Sequence, residues 1–255
     1  MKITFLGTGT SQGVPVIACQ CEVCTSLDFR DQRLRTAIHI ETDQKSFVID
    51  TGPDFRQQML RERIKSLNAI IYTHEHKDHT AGLDDVRAFN FLQKKAVPIY
   101  AMPHVIEQLK MEYNYIFNEK NNYPGIPQVD THLLKDTSPF KIESVEFIPI
   151  EVMHYKLPVL GFRVGDFTYI TDANYISDKE KSKIKGSKVL VINALQKEKH
   201  ISHFNLSEAI ELAQELGVNQ TYFTHISHKM GRHAHVEKEL PDGISLAHDG
   251  LTITL

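Results

Sequence analysis

No apolar run in the 255 residues approaches the ~20 that a membrane span needs, so no transmembrane segment is expected. There is no low-complexity stretch, no internal sequence repeat and no linker, and a single domain over 1–255 is expected. Basic charge is not in excess: 29 Lys and Arg stand against 32 Asp and Glu, for a net charge of -3. Without a global basic field, nucleic acid is not indicated as a partner, although a local patch stays open. Met1-Lys2-Ile3-Thr4-Phe5-Leu6 runs straight into Gly7-Thr8-Gly9 with no apolar segment long enough for a signal peptide, and a cytoplasmic protein is expected. Cysteine is scarce. Its three copies are Cys19, Cys21 and Cys24, and an odd number in one tight cluster argues for metal binding rather than disulfides. A closed structural zinc site takes four ligands, so three thiolates leave one position to be filled from elsewhere.

Histidine is plentiful, with fourteen copies, and their clustering says more than their number. A β-branched and aromatic run, Ile70-Ile71-Tyr72-Thr73, ends abruptly in His74-Glu75-His76-Lys77-Asp78-His79. The run reads as a buried strand of about five residues, too short for a helix. The polar cluster then sits at the strand's C-terminal end, and a short helix is expected to start over Thr80 to Leu83. Imidazole nitrogen and carboxylate oxygen suit zinc, manganese or iron(II). His74 and His76 are two apart and point the same way where the backbone is extended. Asp78 and His79 lie beyond the turn and serve a second position. Four ligand-type side chains exceed the three protein ligands of an open mononuclear site, so the spacing suggests two metals.

Along the chain, Lys2 to Leu6 reads as a first strand, and Gly7 to Gly13 as a loop. No Gly-Lys-Ser/Thr follows, which excludes a nucleotide P-loop. Two readings of this loop stay open: a turn beside the site, or backbone N–H groups facing an anionic substrate. Arg30 to Arg35 reads as a solvated turn. Residues 36–41 and 45–50 form a hairpin whose second strand delivers Asp50. Asp54 to Ile64 suits a helix. Helices are also expected over 83–94 and 103–117, with a strand over 98–101 between them. Asn118 to Asp136 has no clear periodicity and reads as a loop; Tyr113, Tyr115 and Tyr123 are candidates for a pocket rim, with core packing for at least one. His132 reads as surface. Ser144 to Pro149 is a strand followed by His154. Strands over 160–164 and 167–171 form a hairpin that ends in Asp172, and 188–193 is another strand. Leu206 to Leu216 is an amphipathic helix ended by Gly217. A strand over 220–224 ends at His225, and short strands over 245–255 turn at Asp249-Gly250. His154, Asp172 and His225 thus each follow an apolar strand, as His74 does. Strand ends of this kind converge on one edge of layered sheets.

The His-x-His-x-Asp-His stretch, its preceding strand and Gly82-Leu83 resemble the metallo-β-lactamase-fold hydrolases. The resemblance implies an α/β fold, a four-layer αββα sandwich of two mixed β-sheets flanked by helices. It implies that His74, His76 and His154 hold one divalent metal, that Asp78, His79 and His225 hold another, and that Asp172 bridges them with a water or hydroxide. Asp50, in an Asp-x-Gly strand end, is then expected behind the site as an acceptor that orients a ligand His. The two catalytic ions are zinc or manganese, with iron also suited. The shared hydroxide would attack a phosphoryl group, with Asp78 expected to be catalytic as well as a metal ligand. His203, in preference to His200, matches the family's His-bearing loop before the last ligand and is expected to contact phosphate or donate a proton. Cys-x-Cys-x2-Cys after a Gly-Thr-Gly-Thr-Ser loop, with His225-x2-His228 downstream, resembles the phosphoribosyl 1,2-cyclic phosphate phosphodiesterases and their relative, pyrroloquinoline quinone biosynthesis protein B. In that subfamily three Cys and one His hold a structural zinc, which implies Cys19, Cys21, Cys24 and His228 here. The resemblance spans Gly7 to His235. His233 and His235 read as pocket rim or surface.

The function expected is a phosphodiesterase acting on a small cyclic or diester phosphate. The alternatives are a ribonuclease Z-like nuclease, for which the chain has no long basic Gly-rich arm, and an accessory protein of the quinone-biosynthesis kind with little hydrolysis. A thioester or lactone hydrolase on the same fold is a further alternative. A homodimer is an expectation of the resemblance alone.

Overall fold

The computed structural model describes residues 1–118 and 124–255. Tyr123, one of the rim candidates, lies outside them. Two seven-stranded sheets are stacked face to face. The first contains β1 (Lys2–Gly7), β2 (Ala37–Thr42), β3 (Lys45–Ile49), β4 (Ala69–Ile71), β5 (Val97–Ala101) and β6 (Val129–Leu133) side by side. The second contains β7 (Phe140–Ile142), β8 (Val145–His154), β9 (Leu157–Val164), β10 (Phe167–Tyr169), β11 (Val189–Asn193), β12 (Gln220–Thr224) and β13 (Ile244–Leu246). The chain then returns to the first sheet, where β14 (Thr252–Thr254) pairs with β1. The two short strands of the tail therefore belong to different sheets.

The halves repeat one plan. β1, β2 and β3 are antiparallel, and β3 to β6 are parallel. β8, β9 and β10 are antiparallel, and β10 to β13 are parallel. The sequence shows no repeat because the plan is carried by strand direction and burial, which many side chains satisfy.

Alternation within each strand builds the layers. Phe47, Ile49, Ala69 and Ile71 face inward to meet Phe147, Leu160, Phe162, Val189 and Val191 of the other sheet. Val48, Ile70 and Tyr72 face outward, under the helices α1 (Phe55–Glu62), α3 (Arg87–Gln93), α4 (Pro103–Glu112) and α5 (Asn114–Phe117) of this half, and the short α2 (Lys77–Thr80) follows the end of β4. Leu190 and Ile192 pack outward under α6 (Asp178–Ile184) and α7 (Leu206–Leu216), and α8 (His233–Val236) closes that side. Strands buried on both faces read as unbroken apolar runs, which is what the sequence displays at 69–72 and 189–192. The hairpin between β2 and β3 turns on Asp43 and Gln44, both left-handed at φ 50 and 61, as a two-residue turn that follows the strand twist requires.

Several sequence expectations need correction. The helix expected to start over 80–83 begins earlier: α2 opens directly after His76, and Leu83–Val86 is a separate 3-10 turn ahead of α3. The helix over 103–117 breaks at Tyr113 (φ -113, ψ 42). Residues 118–136 are not all loop, since β6 pairs with β5 there. That edge strand is half exposed on both faces and so carries no alternation to read. Among the described residues, no helix is long and apolar enough to cross a membrane.

Candidate metal centre

β3, β4, β8, β10 and β12 run in directions that bring their C-terminal ends to one edge of the sandwich, the place where sheets with parallel strands offer ligand sites. Each end delivers a polar side chain. Asp50 follows β3, His74 to His79 follow β4, His154 is the last residue of β8, Asp172 follows β10, and His225 follows β12. Asp50, Asp172 and His225 sit in the left-handed region at φ 67, 57 and 56. Such a conformation is costly for His, and it persists where the surroundings over-determine it. Here it turns the chain at the strand end so that the side chain points into the cluster.

Asp172 is central. One carboxylate oxygen, Oδ1, lies 3.2 Å from His225 Nε2 and 3.1 Å from His203 Nε2. The other, Oδ2, lies 3.2 Å from His79 Nε2 and accepts a 2.6 Å hydrogen bond from the Thr171 hydroxyl. Asp78 Oδ2 stands 3.2 Å from His79 Nε2 and 3.6 Å from His225 Nε2. Donor atoms of Asp78, His79, Asp172 and His225 thus gather within 4.8 Å of one another, the second of the two ligand sets expected. The first set is arranged less tightly. His74 Nε2 and His76 Nδ1 are 3.0 Å apart, and the His154 ring centre is 5.8 Å and 5.1 Å from theirs. The donor atom of His154 groups with those of Asp172 and His203 instead. His203 therefore stands among the candidate ligands themselves, 4.6 Å ring to ring from His154 and 4.8 Å from His225.

The tautomers are set from behind. Asp50 is fully buried and accepts three hydrogen bonds: from Thr73 N (2.9 Å), from the Thr73 hydroxyl (2.8 Å) and from His79 Nδ1–H (2.7 Å). Having donated to Asp50, the Thr73 oxygen accepts from His74 Nδ1–H at 2.9 Å. His154 Nδ1–H donates to the Ser202 carbonyl at 2.9 Å. In His74, His79 and His154 alike the proton is held on Nδ1, and the Nε2 lone pair is left for the cluster. Gly52 explains the Asp-x-Gly pattern: a Cβ there would collide with the Asp78 carbonyl oxygen, so only glycine lets the Asp50 turn close on the metal stretch.

The donor set fits divalent ions. His79 Nε2 and both His225 ring nitrogens are buried with no hydrogen-bond partner, an expensive arrangement unless something else takes the lone pairs. Electrostatics agree. Burial opposes charge on His79, but Asp78, Asp172 and Asp50 outweigh it and hold its pKa well above the ordinary value. Burial likewise opposes charge on Asp172, yet His225 and His79 keep its carboxyl well below the usual range. His74 has burial as its main influence and is driven well below the ordinary value. The carboxylates of Asp78, Asp172 and Asp50 thus favour positive charge at the cluster, which suits a cation.

His203 is placed by the start of α7. Asn205 caps that helix by accepting from Glu208 N at 2.9 Å, while Glu208 accepts from Asn205 N at 3.1 Å. Phe204 N donates to the Ala173 carbonyl at 2.8 Å, tying this loop to the one that bears Asp172. Burial pushes His203 down to about 4, with the Asp172 hydrogen bond acting in the opposite direction. His200 is exposed and lies outside it, Nδ1 to Nδ1 at 3.2 Å.

The cysteines form a second centre. Sγ of Cys19, Cys21 and Cys24 lie 3.2, 3.4 and 3.5 Å from His228 Nδ1. The Cys24 backbone N–H holds the Cys21 thiol down to about 6, whereas burial pushes Cys24 up to about 11. Three thiolates and an imidazole around one point make the pattern of a closed zinc site.

Other expectations fare differently. Arg33 is not in a solvated turn. It is buried and donates to the Thr8 hydroxyl (2.8 Å), the Ala247 carbonyl (2.6 Å) and His233 Nδ1 (3.1 Å). His233 is therefore buried too, not at a pocket rim, and its backbone N–H donates to Asp31; His235 is exposed. Nothing in a run of charged residues announces which of them a distant carbonyl will satisfy. Tyr113 donates its hydroxyl to the Thr80 carbonyl, and Tyr115 donates to Asp84. His132 is partly exposed and stacks on Tyr100. Asn193 was missed. Its buried amide accepts from Ala173 N (2.7 Å) and donates to the Ala173 carbonyl (2.9 Å), clamping the turn beside Asp172. Its position at the end of an apolar strand, like that of His225, was the available signal.

The family described as "Beta-lactamase superfamily domain" matches residues 45–226. A crystal structure of a diphosphatase from the PhnP family is 40% identical and superposes with a TM-score of 0.93 over 100% of this chain and 97% of that one. The chain belongs to the beta-lactamase superfamily, in its PhnP family. An octanoyltransferase of Porphyromonas gingivalis is 38% identical over 98% of this chain but only 51% of its own length. This PhnP-family chain thus spans about half of that relative. Zinc-bound PqqB from Methylobacterium extorquens, 19% identical with a TM-score of 0.78 over 100% of both chains, shares the fold.

Proposed function

We propose that the chain is a divalent-metal phosphodiesterase acting on a small cyclic or diester phosphate. The observation that carries this is the membership of Asp172 in both donor groups, one with Asp78, His79 and His225 and one with His154 and His203. A carboxylate shared in this way suits a bridge between two ions, with His74 and His76 completing the set on the His154 side. Two divalent ions, zinc, manganese or iron, would supply an acidic water and the positive charge that a phosphoryl group needs under attack. Similarity to a PhnP-family diphosphatase favours phosphate over carbon esters. A third, structural zinc belongs to Cys19, Cys21, Cys24 and His228.

The residues then divide the work. Asp50 and Thr73 keep His79 and His74 in the tautomer that leaves Nε2 free. His203 is neutral near pH 7, with Nε2–H directed at Asp172 and Nδ1 able to accept from the Ser202 hydroxyl (2.9 Å). It would donate from Nε2 to the departing oxygen as Nδ1, on the side of Ser202, takes up a proton delivered from solvent, so the ring stays neutral overall. Anionic phosphate beside the ring strengthens its hold on that proton.

Asp172→Ala should abolish hydrolysis of bis(4-nitrophenyl) phosphate while circular dichroism shows a folded protein. Turnover equal to that of the parent chain would sink the proposal.

A further inference from the structure

A cavity of about 240 Å³ opens on the outer face of the first sheet, at the edge opposite the metal cluster. Strand register builds its floor. Thr4 pairs with His39 and His39 with Val48, while Lys2 pairs with Glu41 and Glu41 with Ser46, so these side chains share the face that Val48 turns to the helices. Under α1 that face is apolar; past the end of α1 it turns polar. Ser46 lies near the start of β3 and Asp50 follows its end, so about 13 Å of strand separates the cavity from the metal stretch.

Thr4, His39 and Ser46 form the floor, and each is more than nine-tenths buried. Their protons can be assigned. The Ser46 hydroxyl donates its single proton to the Ser66 carbonyl at 2.6 Å, so it accepts from His39, whose Nε2 lies 2.7 Å away. Ser46 N donates to Asn68 Oδ1 at 2.9 Å and fixes the floor. Burial pushes His39 down to about 4, so the ring is neutral at pH 7, with its proton on Nε2 and a bare lone pair on Nδ1. Among the described residues that Nδ1 has no hydrogen-bond partner, and His39 lines the cavity. A buried acceptor in this position is costly and calls for a donor. The walls call for negative charge. Lys2 is paired with Glu41 at 3.0 Å and Glu62 with Arg61, but Arg63 and Lys65 have no ion pair among the described residues.

We propose that this cavity binds a small hydroxycarboxylate, its hydroxyl donating to His39 Nδ1 and its carboxylate held by Arg63 and Lys65. One carboxylate uses both unpaired cations. A doubly charged phosphomonoester would meet Glu41 and Glu62 on the same walls, which favours the single charge. The volume is below the roughly 300 Å³ at which ordinary ligand pockets begin, so the ligand has only a few carbons. Arg63 ends α1 at φ 54, a left-handed position that glycine fills at least cost, so its side chain is kept there against the preference of the backbone. The cavity lies apart from the metal centre and stands whether or not the phosphodiesterase reading holds.

The test titrates D-glycerate into the zinc-loaded chain, isotopically labelled at its histidine nitrogens, and follows them by NMR. Glycerol, which lacks the carboxylate, and propionate, which lacks the hydroxyl, are the comparisons. D-Glycerate should shift the His39 Nδ1 resonance, which His39→Gln identifies by its loss. Glycerol and propionate should bind about tenfold more weakly, the effect of one charge-assisted hydrogen bond. Arg63→Gly should weaken D-glycerate by a similar factor yet melt no lower than the parent, because glycine suits that turn. His39→Gln keeps a donor for Ser46 but has no acceptor in place of Nδ1, and by calorimetry it should lose the preference for D-glycerate over propionate. An unmoved His39 resonance, equal affinity for all three probes, or an Arg63→Gly variant that binds as the parent does would overturn the proposal. Binding of D-glycerate at the metals alone gives the first of these results.

Discussion

Asp50→Asn changes one oxygen to an NH2 group without altering size, and Asn tolerates the left-handed backbone at φ 67. Three donors converge on the parent carboxylate: Thr73 N on Oδ1, and the Thr73 hydroxyl and His79 Nδ1–H on Oδ2. An amide has only one acceptor atom to offer them. With its NH2 toward His79, that ring must accept at Nδ1 and carry its proton on Nε2, the atom that faces Asp78 and Asp172. With its NH2 toward Thr73 N, two buried donors face each other. Either arrangement penalises the metal-loaded state more than the empty one. Loss of such an orienting partner costs 10- to 100-fold in metal affinity, about 1.4 to 2.7 kcal/mol. Competition against a chromogenic chelator should find the catalytic ions weakened by that factor. Metal held by Cys19, Cys21, Cys24 and His228, whose donors lie elsewhere, would serve as an internal control and should keep its affinity. Catalytic-ion affinities within twofold of the parent's, in a folded variant, would refute the claim that Asp50 sets the His79 tautomer.

Two further outcomes are expected. Cys21→Ser removes a thiol held down to about 6. Elemental analysis should find one metal fewer per chain, and the melting temperature should fall by roughly 5 °C or more; a full metal complement would contradict the closed site. His39 is buried away from the metals, its Nε2–H donating to Ser46 Oγ at 2.7 Å, and burial pushes its pKa from 6.5 to about 4. A folded pKa below the unfolded one means the neutral ring contributes fully above pH 6.5 and that stability is lost as pH falls toward 4. The loss is roughly 3 kcal/mol at most. Urea unfolding across that window should show a shallower pH slope for His39→Gln than for the parent; identical slopes would count against it.

What could be read from the sequence, and what could not, follows from the range of the interactions. The parallel strands were legible because burial on both faces leaves an apolar run, and α7 because Asn205, Glu208 and Gly217 mark its ends locally. The candidate ligands were legible because ligand chemistry restricts residue type and spacing. Arg33 and His233 were not, since their partners are the Ala247 carbonyl, the Thr8 hydroxyl and each other, up to 214 positions away. β6 was hidden by its place at a sheet edge, where no burial pattern is imposed. The grouping of His203 with His154 and Asp172 depends on two loops crossing at Ala173, which spacing alone does not specify.

The repeated plan of the two halves gives the site its form. Asp50 and Asp172 follow β3 and β10, the strands at which each half passes from antiparallel to parallel pairing, and both are left-handed. They meet on one imidazole: Asp50 takes His79 at Nδ1, 2.7 Å away, and Asp172 stands 3.2 Å from its Nε2. The two carboxylates differ only in what surrounds them. Asp50 is fully buried and has both oxygens engaged by Thr73 or His79, so it orients. Asp172 has imidazoles on both oxygens and one hydroxyl, so it is open to a cation on each side. One strand-end position, used once in each sheet, thus provides both the group that sets a ligand's tautomer and the group that can bridge two ions. Neither sheet alone assembles the cluster, because His79 comes from one half while Asp172 and His225 come from the other.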